Sequence, residues 1–187
     1  MRTILPFDEL NSFKANLSTH FEKGRIKSKE DCEDIIDEIL DLLLLAYANG
    51  VQYIDREFNV TINLEPTAEE LNDVIYREVA GETWEQRVRH WYEEGGTEED
   101  IVRIAETESH RVGNESAYKS AKQAGAKTKR WECMMMPTSR DTHIYLNGVT
   151  IPIDAEFYTF NGNKAMYPGQ FGVAEEDINC LCTVQYR

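Results

Sequence analysis

The sequence lacks any run approaching the roughly 18 apolar residues of a membrane span. Its longest candidate, LLLLAYA at 42–48, follows EDIIDEILD and reads as the buried side of an amphipathic helix. No membrane association is predicted. The N-terminal MRTILPFDEL has neither the apolar core nor the small-residue cleavage site of a signal peptide, which predicts an intracellular protein. Cysteine is scarce and forms no CxxC knuckle: Cys32, Cys133, Cys180 and Cys182 stand alone or one residue apart. In a reducing compartment structural disulfides are disfavoured, and a bridge between Cys180 and Cys182 would close a very tight ring. A glycine-rich phosphate loop, a nucleophile motif and a paired-carboxylate signature are all missing. The sequence therefore predicts no catalytic residue, no cofactor and no small-molecule substrate. It also has no internal repeat and no low-complexity tract.

What remains is an ordinary globular composition. The 187 residues are 41% apolar and 29% charged, which suits one domain or one domain with a smaller appendage. At that length folding buries about 70% of the unfolded chain's surface, enough for a proper core. The net charge of −14 is uneven. Residues 1–115 hold 12 bases and 27 acids, a net −15, whereas residues 116–187 hold 8 and 7, a net +1. Within the second part KSAKQAGAKTKR (119–130) carries Lys119, Lys122, Lys127, Lys129 and Arg130 with no acid. Such a strip is first a solvated helix end and linker, and second a contact for DNA phosphate or an acidic partner. The acidic body argues against wrapping DNA over the whole surface.

The first two-thirds carry helical periodicity. In LPFDELNSFKANLSTHFEKG (5–24), Leu10, Phe13, Leu17 and Phe21 recur three or four apart, and Gly24 stops the pattern. SKEDCEDIIDEILDLLLLAYANG (28–50) opens with Ser28 as N-cap and closes at Asn49-Gly50, with Cys32 facing a helical core. PTAEELNDVIYREVAG (66–81) has Thr67 and Glu70 at capping-box spacing behind Pro66. TWEQRVRHWYEEGG (83–96) follows, and then a long segment from Thr97 that Gly113-Asn114 is expected to bend. His90 and His110 lie on these helices without an evident partner, so they read as surface or satisfied core histidines.

After Gly125 the pattern changes. RWECMMM (130–136) and THIYLNGVTIPI (142–153) are rich in aromatic and β-branched residues, and Asn147-Gly148 is a hairpin signal. INCLCTVQY (178–186) alternates as a last strand. The fold class is predicted to be α+β: a helical body, 1–127, followed by a small β-rich module, 128–187.

Two clusters bear chemistry. On a strand Cys180 and Cys182 project to one face. They read first as small buried groups, while half of a zinc site or a redox pair stays open. A zinc site would need His143 and either Cys133 or Asp141. SRDTH (139–143) could make His143 a general base oriented by Asp141. Its structural reading has Arg140 and His143 bracing the module as hydrogen-bond donors.

KRWECMMMPTSRDTHIYLNG, PGQFG and the terminal INCLCTV resemble the C-terminal module of the Mu F-like minor head proteins of tailed phages. That family's pattern runs from Lys-x-Trp through Arg-x-x-His and a Leu-Asp/Asn-Gly turn to Asn-Cys-Arg-Cys. Lys129 and Trp131, Arg140 and His143, Leu146-Asn147-Gly148 and Asn179-Cys180-x-Cys182 occupy the matching places. Upstream, GETWEQRV and ETESHRVGNESAYKSAKQAGAKTKRW are similar to the helical stretch before the module, so the likeness covers roughly residues 80–187. The chain departs from the pattern at Met136, where the family usually has aspartate, and at Leu181, where it has arginine. Loss of both suggests a buried ion pair exchanged as a unit, a nearly neutral swap when well packed.

The resemblance implies a non-enzymatic phage or prophage minor head protein acting in head morphogenesis. Its partners would be the portal and other head proteins, with weak DNA contact through the basic strip. It would sit inside the capsid of the virion and in the host cytoplasm during assembly. Trp131, Arg140, His143, Asn179, Cys180 and Cys182 would form the polar core of the module, with no metal. A small zinc protein or hydrolase using His143, Cys180 and Cys182 is the alternative. Some relatives carry a toxin domain after the module; with only five residues beyond Cys182, none is expected here.

Overall fold

The computed structural model describes residues 4–62 and 66–187. Five helices come first: α1 (Phe7–Leu17), α2 (Lys29–Phe58), α3 (Ala68–Ile75), α4 (Trp84–Glu94) and α5 (Glu98–Gln123). A short hairpin, β1 (Phe21–Glu22) with β2 (Arg25–Ile26), separates α1 from α2. Then follow β3 (Thr128–Glu132), α6 (Asp141–Leu146), β4 (Thr150–Pro152), β5 (Phe157–Tyr158), β6 (Lys164–Ala165), α7 (Ala174–Asp177) and β7 (Thr183–Tyr186). The architecture is α+β, helices first and small antiparallel sheets after them.

The helix starts follow local chemistry. Ser28 accepts the Asp31 N–H at 3.1 Å, and Thr67, Thr83 and Thr97 each close a capping box with the residue three positions on. The helix ends depart from expectation where tertiary packing intervenes. The first helix stops at Leu17 and tightens into a 3-10 turn over Ser18–His20, after which Lys23 and Gly24, both at positive φ (52° and 78°), turn the chain through the β1–β2 hairpin. Asn49-Gly50 does not end α2. The helix runs on to Phe58 and is closed by Asn59 in the left-handed conformation, φ 51°. Gly50 instead lets α2 press against α5: a methyl group there would overlap Ser116 Oγ and the Gly113 carbonyl oxygen. α5 likewise passes through Gly113-Asn114 as one continuous helix.

Two apolar clusters result. The first gathers Leu10, Phe13, Leu17, Ile35, Ile39, Leu43, Val74, Trp84, Val88 and Ile101 among the helices. The second joins Trp131, Leu146, Phe157, Tyr167, Val184 and Tyr186 to Ile54 of α2 and to Ala117 and Ala121 of α5. The C-terminal module therefore completes its core with helical residues. Its main sheet has the order β4-β3-β7, fully antiparallel, with Trp131 opposite Val184 and Lys129 opposite Tyr186.

The Asn147-Gly148 step joins no hairpin. Residues 141–146 form the helix α6, and Gly148, φ 80°, turns the chain from that helix into β4. Asn147 Oδ1 accepts the Cys133 N–H at 2.9 Å, and the Gly148 N–H donates to the Trp131 carbonyl at 2.8 Å. The final strand starts at Thr183, and Ile178–Cys182 is an irregular approach to it. No described helix is long and apolar enough to cross a membrane.

Candidate functional site

The site lies where β3, α6, α7 and the approach to β7 meet. β3 alternates buried and exposed residues, so Trp131 and Lys129 point inward while Arg130 points out. α6 contributes Thr142 and His143 to the interior, and its preceding residue, Arg140, donates through Nη2 to the Ile178 carbonyl. The His143 ring stacks on Phe171, with centroids 5.6 Å apart, and meets Trp131 edge-on at 5.7 Å.

Both edges of that ring are engaged. Nδ1 lies 3.5 Å from Cys180 Sγ and 3.4 Å from Cys182 Sγ. Nε2 lies 3.1 Å from Glu176 Oε2, at ion-pair distance though without the alignment of a hydrogen bond. Glu176 is buried and fixed in turn by Thr142 Oγ1, donating at 2.8 Å, and Asn163 Nδ2, donating at 3.1 Å. Its neighbour Asp177 accepts the Phe171 and Gly172 N–H groups at 3.0 and 2.7 Å, and burial raises its carboxyl pKa. The Cys182 thiol is pushed well above the usual cysteine range by its contact with Cys180 and by burial. Burial also raises Cys133, which interacts with Cys182 and lines the same small cavity as His143, Cys180 and Cys182. Cys180 and Cys182 face His143 together while Leu181 between them is exposed, although the segment is not a strand. Asp141 is exposed, so it does not orient His143. A histidine with 2% of its surface accessible, its Nδ1 turned to two thiols and its Nε2 to a buried carboxylate, offers no edge to a substrate proton.

The family model described as "Phage Mu protein F like protein" matches residues 68–185. The chain belongs to that family. Among curated relatives it is 35% identical over 117 residues to "NAD(+)--arginine ADP-ribosyltransferase EFV" of Enterococcus faecalis, a match covering 60% of this chain and 24% of that protein. It is 34% identical over 85 residues to "Minor head protein GP7" of Bacillus phage SPP1, covering 44% of this chain and 28% of the relative. This Mu F-like chain thus spans about a quarter of the length of the curated relatives it matches. No solved structure is a significant match.

Set on the Mu F-like fold, the patterned residues separate by burial. Trp131, His143, Cys180 and Cys182 are buried together, and Arg140 sits half-buried at their edge. Asn179, expected in the same polar core, is exposed. It turns the chain after α7 with φ 58°, a conformation asparagine tolerates better than most residues, and its N–H donates to Thr107 Oγ1 at 3.2 Å. Met136 and Leu181 line one cavity and are 49% and 43% exposed, so in this chain the two exchanged positions are at the surface and not in a buried core.

The basic strip also departs from expectation. Lys129 is 1% exposed, its ammonium 4.8 Å from the Tyr118 ring centre, and burial lowers its pKa to about 8. Lys119 pairs with Glu115, Lys122 with Asp154 and Arg130 with Glu132. Lys127 alone of the five is exposed without an ion pair among the described residues. Glu115 and Glu132 flank the strip at i,i+4 and i,i+2 spacing, whereas Asp154 comes from a distant segment that sequence proximity does not show.

Sequence reasoning also missed Glu176, Asn163 and the charged interior of α5. Glu176 sits in AEEDIN, an acid-rich string that reads as surface. In α5 every residue from Thr107 to Ala117 is buried, because the helix is enclosed by α2, α4 and the C-terminal module. Arg111 donates to Glu108 at 2.7 Å and to the Val74 and Ile75 carbonyls at 2.7 and 3.1 Å. Glu108 also pairs with Arg87, and Glu115 with Arg77. Gly169 of the PGQFG string, φ 85°, packs over this arginine: a methyl group there would lie 3.0 Å from Arg111 Cβ.

Proposed function

We propose that the chain is the head-assembly part of a phage or prophage minor head protein, held in the head beside other head proteins and associated with the portal. The observation that carries this reading is the use to which the family's patterned side chains are put. Lys129, Trp131, His143, Cys180 and Cys182 are all turned inside, where they tie β3, α6 and the chain's end into one body. A pattern directed inward specifies a shape, and a shape is what a particle component contributes. The name of the phage relative, a minor head protein, agrees with it. The transferase activity named for the bacterial relative belongs to that protein, only 24% of which is matched.

Strong DNA contact is not part of this reading, since four of the five strip bases are buried or paired. The experiment is a head-composition assay: particles assembled from the same genome are purified with and without this chain. The reading requires the chain to co-purify with heads and its deletion to reduce filled, infectious particles. Heads of normal number, composition and infectivity without it would sink the reading.

A further inference from the structure

We infer that His143, Cys180, Cys182 and Cys133 form a structural zinc site that fastens the end of the chain to α6 and β3. This goes beyond the head-assembly reading and does not depend on it.

The geometry comes first. One ligand atom each of His143, Cys180 and Cys182 lies within 4.8 Å of the others. Zinc binds thiolate sulfur at about 2.3 Å and imidazole nitrogen at about 2.0–2.1 Å, so the nitrogen–sulfur edge of a zinc tetrahedron is about 3.5 Å. The two edges here measure 3.5 and 3.4 Å. A hydrogen-bonded cluster fits less well, because neutral imidazole has a single in-plane lone pair and can accept from only one of two thiols. A cation at the centre takes that lone pair and both sulfurs at once.

The surroundings agree. The carboxylate of Glu176 beside Nε2 favours the proton on that nitrogen, which leaves Nδ1 free to ligate. A histidine backed by a carboxylate is the usual outer arrangement of zinc ligands, and Glu176 is itself held by Thr142 and Asn163. Cys133 lies outside that 4.8 Å group, but it lines the same cavity and interacts with Cys182, so it is assigned the fourth corner, its side chain closing on the ion. That cavity measures about 40 Å³, room for an ion and not for a substrate. Three soft thiolates and an imidazole select zinc over calcium or magnesium, and four protein ligands make a closed, structural centre. The ligands come from β3's end, α6 and the approach to β7, segments far apart in sequence, so the ion would act as a cross-link.

The test uses the full chain made without a histidine tag. Protein as purified is analysed for metal, then stripped with a chelator under reducing conditions and titrated with cobalt(II) alone. One zinc per chain is expected, with cobalt uptake saturating at one per chain. The cobalt form should show tetrahedral visible bands and thiolate-to-cobalt charge transfer, both erased by added zinc. Cys182→Ser and His143→Ala should lose the charge-transfer intensity or the stoichiometry, and chelator should lower the melting temperature of the parent but not of Cys182→Ser. An unchanged cobalt spectrum in Cys133→Ser overturns the fourth corner. Should the variants fail to fold, the parent titration decides: a folded, metal-free chain without a charge-transfer band overturns the site.

Discussion

Replacing Gly50 with alanine sets two opposed effects against each other. Alanine is the better helix former by about 1 kcal/mol, so on propensity alone the substitution in α2 would stabilise. Against this, the added methyl group would overlap Ser116 Oγ and the Gly113 carbonyl and lie 3.0 Å from the Ala117 nitrogen. The hydroxyl could rotate away at the loss of its 2.9 Å bond to the Tyr47 carbonyl. The carbonyl and the nitrogen belong to the α5 backbone and move only if the two helices separate. Overpacking of this kind costs typically 1–3 kcal/mol and more where backbone must shift, so Gly50→Ala should destabilise by about 3 kcal/mol net. At roughly 2–4 °C per kcal/mol for a chain of this size, the melting temperature falls by about 6–12 °C. Gly113→Ala is the control: its methyl group would meet Ile4 side-chain atoms and the Ile4 carbonyl at 3.2 Å, a tight contact with the chain's start rather than a helix crossing. It should stay within about 1 kcal/mol of the parent. Urea unfolding and thermal melts of both variants give the answer. A Gly50→Ala protein as stable as the parent, or both variants equally affected, would refute the close crossing of α2 and α5.

Two further perturbations probe the buried charges. Arg111→Met should cost about 3–5 kcal/mol, because Glu108 loses its 2.7 Å partner and the Val74 and Ile75 carbonyls lose their donors; a urea midpoint equal to the parent's would contradict this. Burial depresses His110 to about 4 from 6.5; its Nδ1 lies 3.2 Å from the Asn114 amide nitrogen, and Lys14 and Glu106 are the charged groups lining the cavity it shares. Below pH 6.5 the unfolded chain gains a proton that the folded chain refuses until about pH 4, so stability should fall by roughly 3 kcal/mol across that window. His110→Gln should remove that part of the slope; an identical pH profile in the two proteins would show that His110 does not supply it.

The sequence made the helical two-thirds legible wherever a local signal sufficed. Ser28, Thr67 and Thr97 are caps because cap chemistry involves neighbours three positions apart. Gly50 reads as a helix end and Gly113 as a bend because, without the neighbour, a glycine that ends or bends a helix looks like one that admits close packing. Asn147-Gly148 signalled a tight turn, but the turn joins a helix to a strand, a distinction set by Leu146 and His143 packing inward on a helical period. The convergence of His143, Cys180 and Cys182 was half legible: two cysteines one apart announce a shared face, but Glu176 and Asn163 gave no signal in an acid-rich string and a loop. Lys129 illustrates the limit in the other direction. Its charge suggested solvent, while its position between exposed Arg130 and half-exposed Thr128 on β3 turned it inward.

The shared wall formed by α5 bears on how such chains can be recombined. A fusion or exchange made at residue 127 would strip Trp131 and Tyr186 of Ile54, Ala117 and Ala121, leaving the tail with an open flank. An exchange made upstream of Glu98 would keep Ala117 and Ala121 with the tail and leave Ile54 to be supplied by the new partner.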